Sequence, residues 1–198
     1  MHAQHGEDDF IKTLFPEGYV GHYVDIGANH PVYASNTYLL YQSGWSGICM
    51  EPHTIYNDEY AEKRPLDRLL NIAAGSAEGD AQFHFSDGLE GLSSLAVTEA
   101  IHTQTKTVAV RRLDTVLSEA GFAPTFDVLS VDVEGLEIDV LSTLGSFAPH
   151  IIIAEFNSLG AINTDLQPYL SKLGYQTLLV TETNIVCTND FAKDYPRH

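Results

Sequence analysis

Residues 22–29 read HYVDIGAN, an apolar run that stops on an aspartate, a glycine and an asparagine. The bulky apolar residues make a strand, and Gly27 ends it. Four later runs close in the same manner. SGICMEP (46–52) ends on Glu51-Pro52, and LLNIAAG (69–75) runs through Asn71 into small residues. FDVLSVDVEG (126–135) ends on Asp132-Val133-Glu134-Gly135, and HIIIAEFN (150–157) on Glu155-Phe156-Asn157. The stretches between them have helical spacing: 35–43 carries Tyr38, Leu39 and Leu40, a second helix runs to Arg64, and Leu136, Val140, Leu141 and Leu144 share one face. DLQPYLSKLG (165–174) is a further helix with Gly174 as its stop signal. YQTLLVT and NIVCTN are two closing strands around Glu182-Thr183-Asn184. Strands this apolar are buried on both faces, and their alternation with helices predicts a mostly parallel sheet covered on both sides, a three-layer α/β fold. GDAQFHFSD and KTVAVRRL, either side of EGLSSL (90–95), predict a small β insertion after the third strand, near the ligand face.

Composition narrows the function classes. The 198 residues include 10 Lys+Arg against 27 Asp+Glu, a net charge of −17, with 44% hydrophobic residues, nine phenylalanines and ten tyrosines. That length and apolar content predict one domain over 1–198 with a sizeable core. Phosphate-backbone binding needs clustered cations, so no nucleic-acid or anionic-membrane partner is expected. No apolar run approaches the ~20 residues of a membrane span, and MHAQHGEDDF lacks a signal pattern, so a soluble cytoplasmic protein is expected. Cys49 and Cys187 lie in apolar segments with no companion ligands and read as buried free thiols.

In open parallel sheets, ligands bind beyond the carboxyl ends of the strands, where strand order reverses. Five polar or small endings at such positions therefore predict a site. Gly27 and Ala28 let the backbone approach a ligand, and Glu51, at the end of the second strand, is placed to accept both ribose hydroxyls. Two ligands use this arrangement, a dinucleotide and S-adenosylmethionine. A dinucleotide needs G-x-G-x-x-G, whereas this chain has Gly27-Ala28-Asn29-His30-Pro31-Val32. Asp25 would repel a pyrophosphate and attract an ammonium, and S-adenosylmethionine is net positive.

VDIGAN, SNTYLLYQSGWSGICMEP, the Asn-Ile-Ala strand end, RRLDTVL, LSVDVEGLEIDVL and IIIAEFN together resemble the FkbM family of S-adenosylmethionine-dependent methyltransferases. The resemblance runs from about Gln4 to the closing strands. It implies a Rossmann-like class I methyltransferase fold with about seven strands, the last antiparallel. It also implies methyl transfer to an oxygen, most often a hydroxyl of a sugar or glycosylated product. On this resemblance Asp25, Gly27, Ala28 and Asn29 line the methionine end, Glu51 and Pro52 the ribose, and Ile72 and Ala73 the adenine edge. Ser93 and Ser94 fall where the family has a Ser/Thr pair near the cofactor. A polar surface loop is the alternative for that pair. Many class I methyltransferases have a glycine two residues after the Asn; here His30-Pro31 follows Asn29. Ser35, Asn36 and Thr37 are assigned to the methionine carboxylate instead, with Ser35 equally suited to cap a helix.

Methyl transfer to a hydroxyl requires alignment and proton removal. The candidates are Asp132 and Glu134 after the fourth strand, and Glu155 and Asn157 after the fifth. Either Asp132 acts as base, or Asp132, Glu155 and Asn157 hold Mg²⁺ or another divalent cation that lowers the hydroxyl's pKa. The second pattern resembles the metal-binding arrangement of catechol O-methyltransferase. Glu134 reads equally well as an acid favouring the N-terminus of the following helix. His30 and His53 are possible bases and more often local hydrogen-bonding residues. Gln4, Glu7 and Asp8 either cap the site or form a solvated helix start. The competing functions are a nicotinamide-dependent oxidoreductase, disfavoured by the missing glycines, and a non-catalytic S-adenosylmethionine-binding module. No Lys or Arg occurs between Lys12 and Lys63 or between Arg112 and Lys172, so the acidity is partly local to the proposed site. The acceptor and the oligomeric state are not legible in the sequence.

Overall fold

A computed structural model describes residues 2–86, 93, 95, 104–158 and 160–189. In chain order the elements are α1 (Glu7–Lys12), β1 (His22–Ile26), α2 (Tyr38–Gln42), β2 (Ser46–Met50), α3 (Asn57–Lys63) and β3 (Arg68–Leu70). There follow β4 (Ala73–Ala74), β5 (Gly79–Phe85), β6 (Gln104–Arg111), α4 (Leu113–Ala120), β7 (Thr125–Val131) and α5 (Glu137–Leu141). The chain continues with β8 (Ala148–Glu155), β9 (Asn157–Ser158), β10 (Ala161–Ile162), α6 (Leu166–Lys172), β11 (Gln176–Val180) and β12 (Asn184–Thr188).

Seven strands form the central sheet in the order β11-β12-β8-β7-β1-β2-β3. β1, β2, β3, β7 and β8 pair in parallel, and β12 runs antiparallel between β8 and β11. Side chains alternate across the sheet, so a strand buried on both faces feeds two cores. On one face Tyr23, Cys49, Val128, Ile151, Ile153 and Val186 meet Ile11, Leu40 and Tyr60 from α1, α2 and α3. On the other, Val24, Ile26, Met50, Leu129, Val131, Ile152 and Ala154 meet α4, α5 and α6 through Leu113, Leu117, Val140, Leu141, Leu166 and Leu170. At roughly 1.5–3 kcal/mol for each large aliphatic side chain taken out of water, these two layers dominate the favourable energy of folding. Cys49 and Cys187 are buried free thiols. Among the described residues no helix is long and apolar enough to cross a membrane.

The chain departs from the sequence reading in three places. LLNIAAG is not one strand: β3 leaves the main sheet at Asn71, whose amide donates to the Glu51 carbonyl (3.0 Å), and Ala73–Ala74 pairs with β6 instead. That pairing makes a three-stranded insertion, β4-β6-β5. The 35–43 helix is only the five residues of α2, because Ser35 to Thr37 are held by buried hydrogen bonds of their own. After Glu155 the chain forms the short β9–β10 hairpin, for which the sequence carried no periodic signal.

From β1 the chain steps outward through β2 to β3, then returns to place β7 on the other side of β1. The carboxyl ends of β1 and β7 therefore flank the reversal, where a crevice opens.

Candidate functional site

A cleft partly open to solvent lies at that reversal. Its walls are the ends of β1, β2, β4 and β7, with the insertion as one flank. The turn after β1 is made possible by Gly27, at φ +73°; a Cβ there would stand 1.7 Å from the Asp132 carbonyl oxygen. The Asp132 N–H donates to the Ile26 carbonyl at 2.9 Å, locking the two strand ends together. Only glycine allows that approach.

Glu51 is buried at the end of β2, accepting the Asn29 N–H at 2.9 Å and the His53 N–H at 2.6 Å. Each oxygen keeps a second lone pair for a ligand hydroxyl. Burial pushes its carboxyl up to about 7 despite those two donors. Beside it, Pro52, Ile72, Ala73, Ala74, Phe83 and Leu95 make an apolar wall. Ser93 also lines the cleft, and its buried hydroxyl has no hydrogen-bond partner among the described residues. Ser94 lies outside the described residues.

Asp25, buried at the floor, accepts the Thr37 hydroxyl at 2.5 Å. Burial raises its carboxyl above the usual range, opposed by the Arg64 guanidinium and the Thr37 hydrogen bond. Ala28, Asn29, Ser35 and Asn36 line the cleft with it, whereas Thr37 lies fully buried behind the wall. Ser35 accepts the Tyr38 N–H at 3.2 Å but is not the cap of α2, whose N-cap residue is Thr37, and Asn36 donates to the Ser130 hydroxyl at 3.2 Å. Asn29 and Ala34 adopt left-handed backbone conformations in this same loop, at φ 45° and 55°.

The acid group sits at the ends of β7 and β8. Carboxylate oxygens of Asp132, Glu134 and Glu155 all lie within 4.8 Å of one another. Like charges at that range repel by about 3 kcal/mol per pair at an effective dielectric constant near 20, so three full charges do not coexist without a proton or cation. Burial, then Glu134 and Glu137, push Glu155 up to about 8; burial and then Glu155 push Asp132 up as well. Glu155 Oε2 is buried and lacks a hydrogen-bond partner among the described residues.

Asn157 follows two residues after Glu155: its amide nitrogen donates to the Glu182 carbonyl at 2.9 Å, and its Oδ1 is buried with no hydrogen-bond partner among the described residues. Glu134, at φ 56°, accepts the Ser158 hydroxyl and does not sit in the first turn of α5. That place belongs to Glu137, which accepts the Val133 and Gly135 N–H groups at 3.3 and 2.9 Å and so shapes the acid loop. His30 Nδ1 accepts the Val32 and Tyr33 N–H groups, both at 3.0 Å, and its Nε2 lies 3.2 Å from Glu59, a local role. His53 accepts the Ile55 N–H at 3.2 Å. Gln4 lines the cleft, but Glu7 and Asp8 are fully buried rather than a solvated helix start. Glu7 accepts Thr181 and Asn184 at 2.8 and 2.9 Å, tying α1 to the β11–β12 turn. Arg64 and Asp67, which support the floor, carried no sequence signal: lone charges near a helix end read as solvated.

Sequence comparison matches residues 25–177 to the model of the methyltransferase FkbM domain. No curated protein matches the chain by sequence. In structure it is similar to a TehB-like SAM-dependent methyltransferase from Corynebacterium glutamicum, with 11% identity, a TM-score of 0.51, and 94% of this chain and 89% of that one covered. It is also similar to 1,6-didemethyltoxoflavin-N1-methyltransferase from Burkholderia thailandensis, with 8% identity, a TM-score of 0.50, and 93% and 77% covered. These likenesses are of fold. The family match spans well over half of the sequence and decides against the oxidoreductase reading: the chain belongs to the methyltransferase FkbM domain family and is an S-adenosylmethionine-dependent methyltransferase.

Proposed function

We propose that residues 1–198 act as one domain that methylates a hydroxyl of a sugar, in a glycan or a glycosylated product. The carboxylate cluster at the ends of β7 and β8, beside the cleft, carries this reading. The donor supplies a methyl group made electrophilic by its sulfonium. Glu51 binds the ribose hydroxyls, the Ile72–Ala73 wall takes the adenine, and Asp25 meets the ammonium. Among the described residues no Lys or Arg lines the cleft, which favours a neutral, hydroxyl-rich acceptor over an anionic one. Carboxylates accept hydrogen bonds from such hydroxyls and orient them. Asp132, sharing its proton burden with Glu155, takes the hydroxyl proton as the acceptor oxygen bonds to the methyl carbon and the carbon–sulfur bond breaks, its electron pair staying on sulfur as neutral S-adenosylhomocysteine leaves.

The orphaned Glu155 oxygen favours a second form of the same reading. A hard divalent cation would be held by Asp132, Glu155 and Asn157, whose Oδ1 is likewise buried without a partner among the described residues, with Glu134 beside the two acids, and when bound it would lower the pKa of a coordinated hydroxyl. Asp132→Asn is expected to lower kcat about 100-fold or more with cofactor affinity within twofold of wild type. Unchanged turnover in that variant contradicts the assignment. Full activity in excess EDTA eliminates the cation form and leaves the base.

A further inference from the structure

Arg64 closes α3 and is 1% exposed, the largest of the fully buried side chains. A buried guanidinium must place five N–H donors, and each has an acceptor here. Nε meets Asp67 Oδ2 at 2.6 Å; Nη1 reaches the Pro31 carbonyl and Ser35 Oγ, both at 3.3 Å; Nη2 reaches the Tyr23 hydroxyl at 2.9 Å and Thr37 Oγ1 at 2.8 Å. The rings of Tyr23, Tyr41 and Tyr60 surround it at 5.4–5.6 Å.

The ion pair with Asp67 accounts for one donor. Three of the others go to the loop between β1 and α2, which forms a wall of the cleft. The bond to Thr37 is directional. Because Thr37 Oγ1 accepts from Arg64, its single hydrogen is left for Asp25 Oδ2, 2.5 Å away. Charge points the same way: one buried cation against Asp67 and Asp25 leaves one negative charge at the cleft floor, a match for an ammonium. We propose that Arg64, acting through the hydroxyl of Thr37, is a positioning residue that holds Asp25 for the amino group of the cofactor. The proposal rests on the reading that Asp25 meets that group.

Arg64→Met strands Asp67 and is expected to unfold the chain, so Thr37→Val carries the test, with Thr37→Ala as its replacement should the valine variant not fold. Calorimetry compares S-adenosylhomocysteine with 5′-methylthioadenosine, which lacks the amino-acid end. Thr37→Val is expected to weaken the first about tenfold and the second by less than twofold, and Thr37→Ser to restore wild-type values. Equal weakening of both ligands, or of neither, overturns the relay. Asp25→Asn separates the two layers: if it weakens S-adenosylhomocysteine while Thr37→Val does not, only the relay fails. If Asp25→Asn spares both ligands, the reading of Asp25 fails and the relay with it.

Discussion

Replacing Glu155 by glutamine should stabilise this protein at high pH while abolishing its turnover. The Glu155 carboxyl is pushed from 4.5 to about 8, by burial first and then by Glu134 and Glu137. An acid whose folded-state pKa is raised binds its proton more tightly when folded. Below the unfolded pKa both states are protonated and the shift is silent. As pH climbs to about 8, the unfolded chain releases the proton and the folded one retains it, so stability falls across that window and stays low above it. The full displacement corresponds to on the order of 5 kcal/mol. Asp132 carries part of the same repulsion, and about 2 kcal/mol is the expected gain for Glu155→Gln at pH 8.5. At pH 4.5 the gain should be near zero. Urea unfolding of both proteins at the two pH values, with equal m-values, measures the difference. A gain that is the same at both pH values, or a loss at pH 8.5, would refute the claim that these carboxylates are crowded in the folded state.

Two further outcomes follow from the cleft geometry. Gly27→Ala drives a methyl group into the Asp132 carbonyl and imposes a left-handed conformation on alanine, so destabilisation of about 3 kcal/mol or more is expected in chemical denaturation, with cofactor binding lost. Glu51→Gln should weaken S-adenosylhomocysteine about tenfold, and wild-type affinity should fall as pH drops below about 7 while the variant stays flat, as read by calorimetry across pH 6–8.

The sheet was legible because period and polarity agree in its strands. FDVLSV and HIIIAE admit few other readings, and the acidic ending of the first sits where the sheet order reverses, with that of the second on the neighbouring strand. The cleft lining was legible in part for the same reason: Gly27 and Glu51 follow strands, and strand ends converge. What stayed hidden depends on contacts distant in sequence. Arg64 and Asp67 resemble any charged pair near a helix end, and only packing under Tyr23, Tyr41 and Tyr60 makes them the support of Asp25. Glu134 stands beside the two strand-end acids for a local reason. The chain turns into β9 after Phe156, so the Asn157 amide is drawn to Glu182, while the left-handed backbone at Glu134 turns that carboxylate toward Glu155. Glu137 was passed over because an acid in a first helical turn has an ordinary explanation; its bonds to Val133 and Gly135 are set by the loop's curl.

The most direct test of the account is methyl transfer itself. The protein is incubated with methyl-labelled S-adenosylmethionine and a panel of neutral glycans, amino sugars and small amines, and the products are read by tandem mass spectrometry. The label is expected on a sugar oxygen and absent from the Asp132→Asn reaction. Label found only on nitrogen, or transferred equally well by the Asp132→Asn variant, would contradict it.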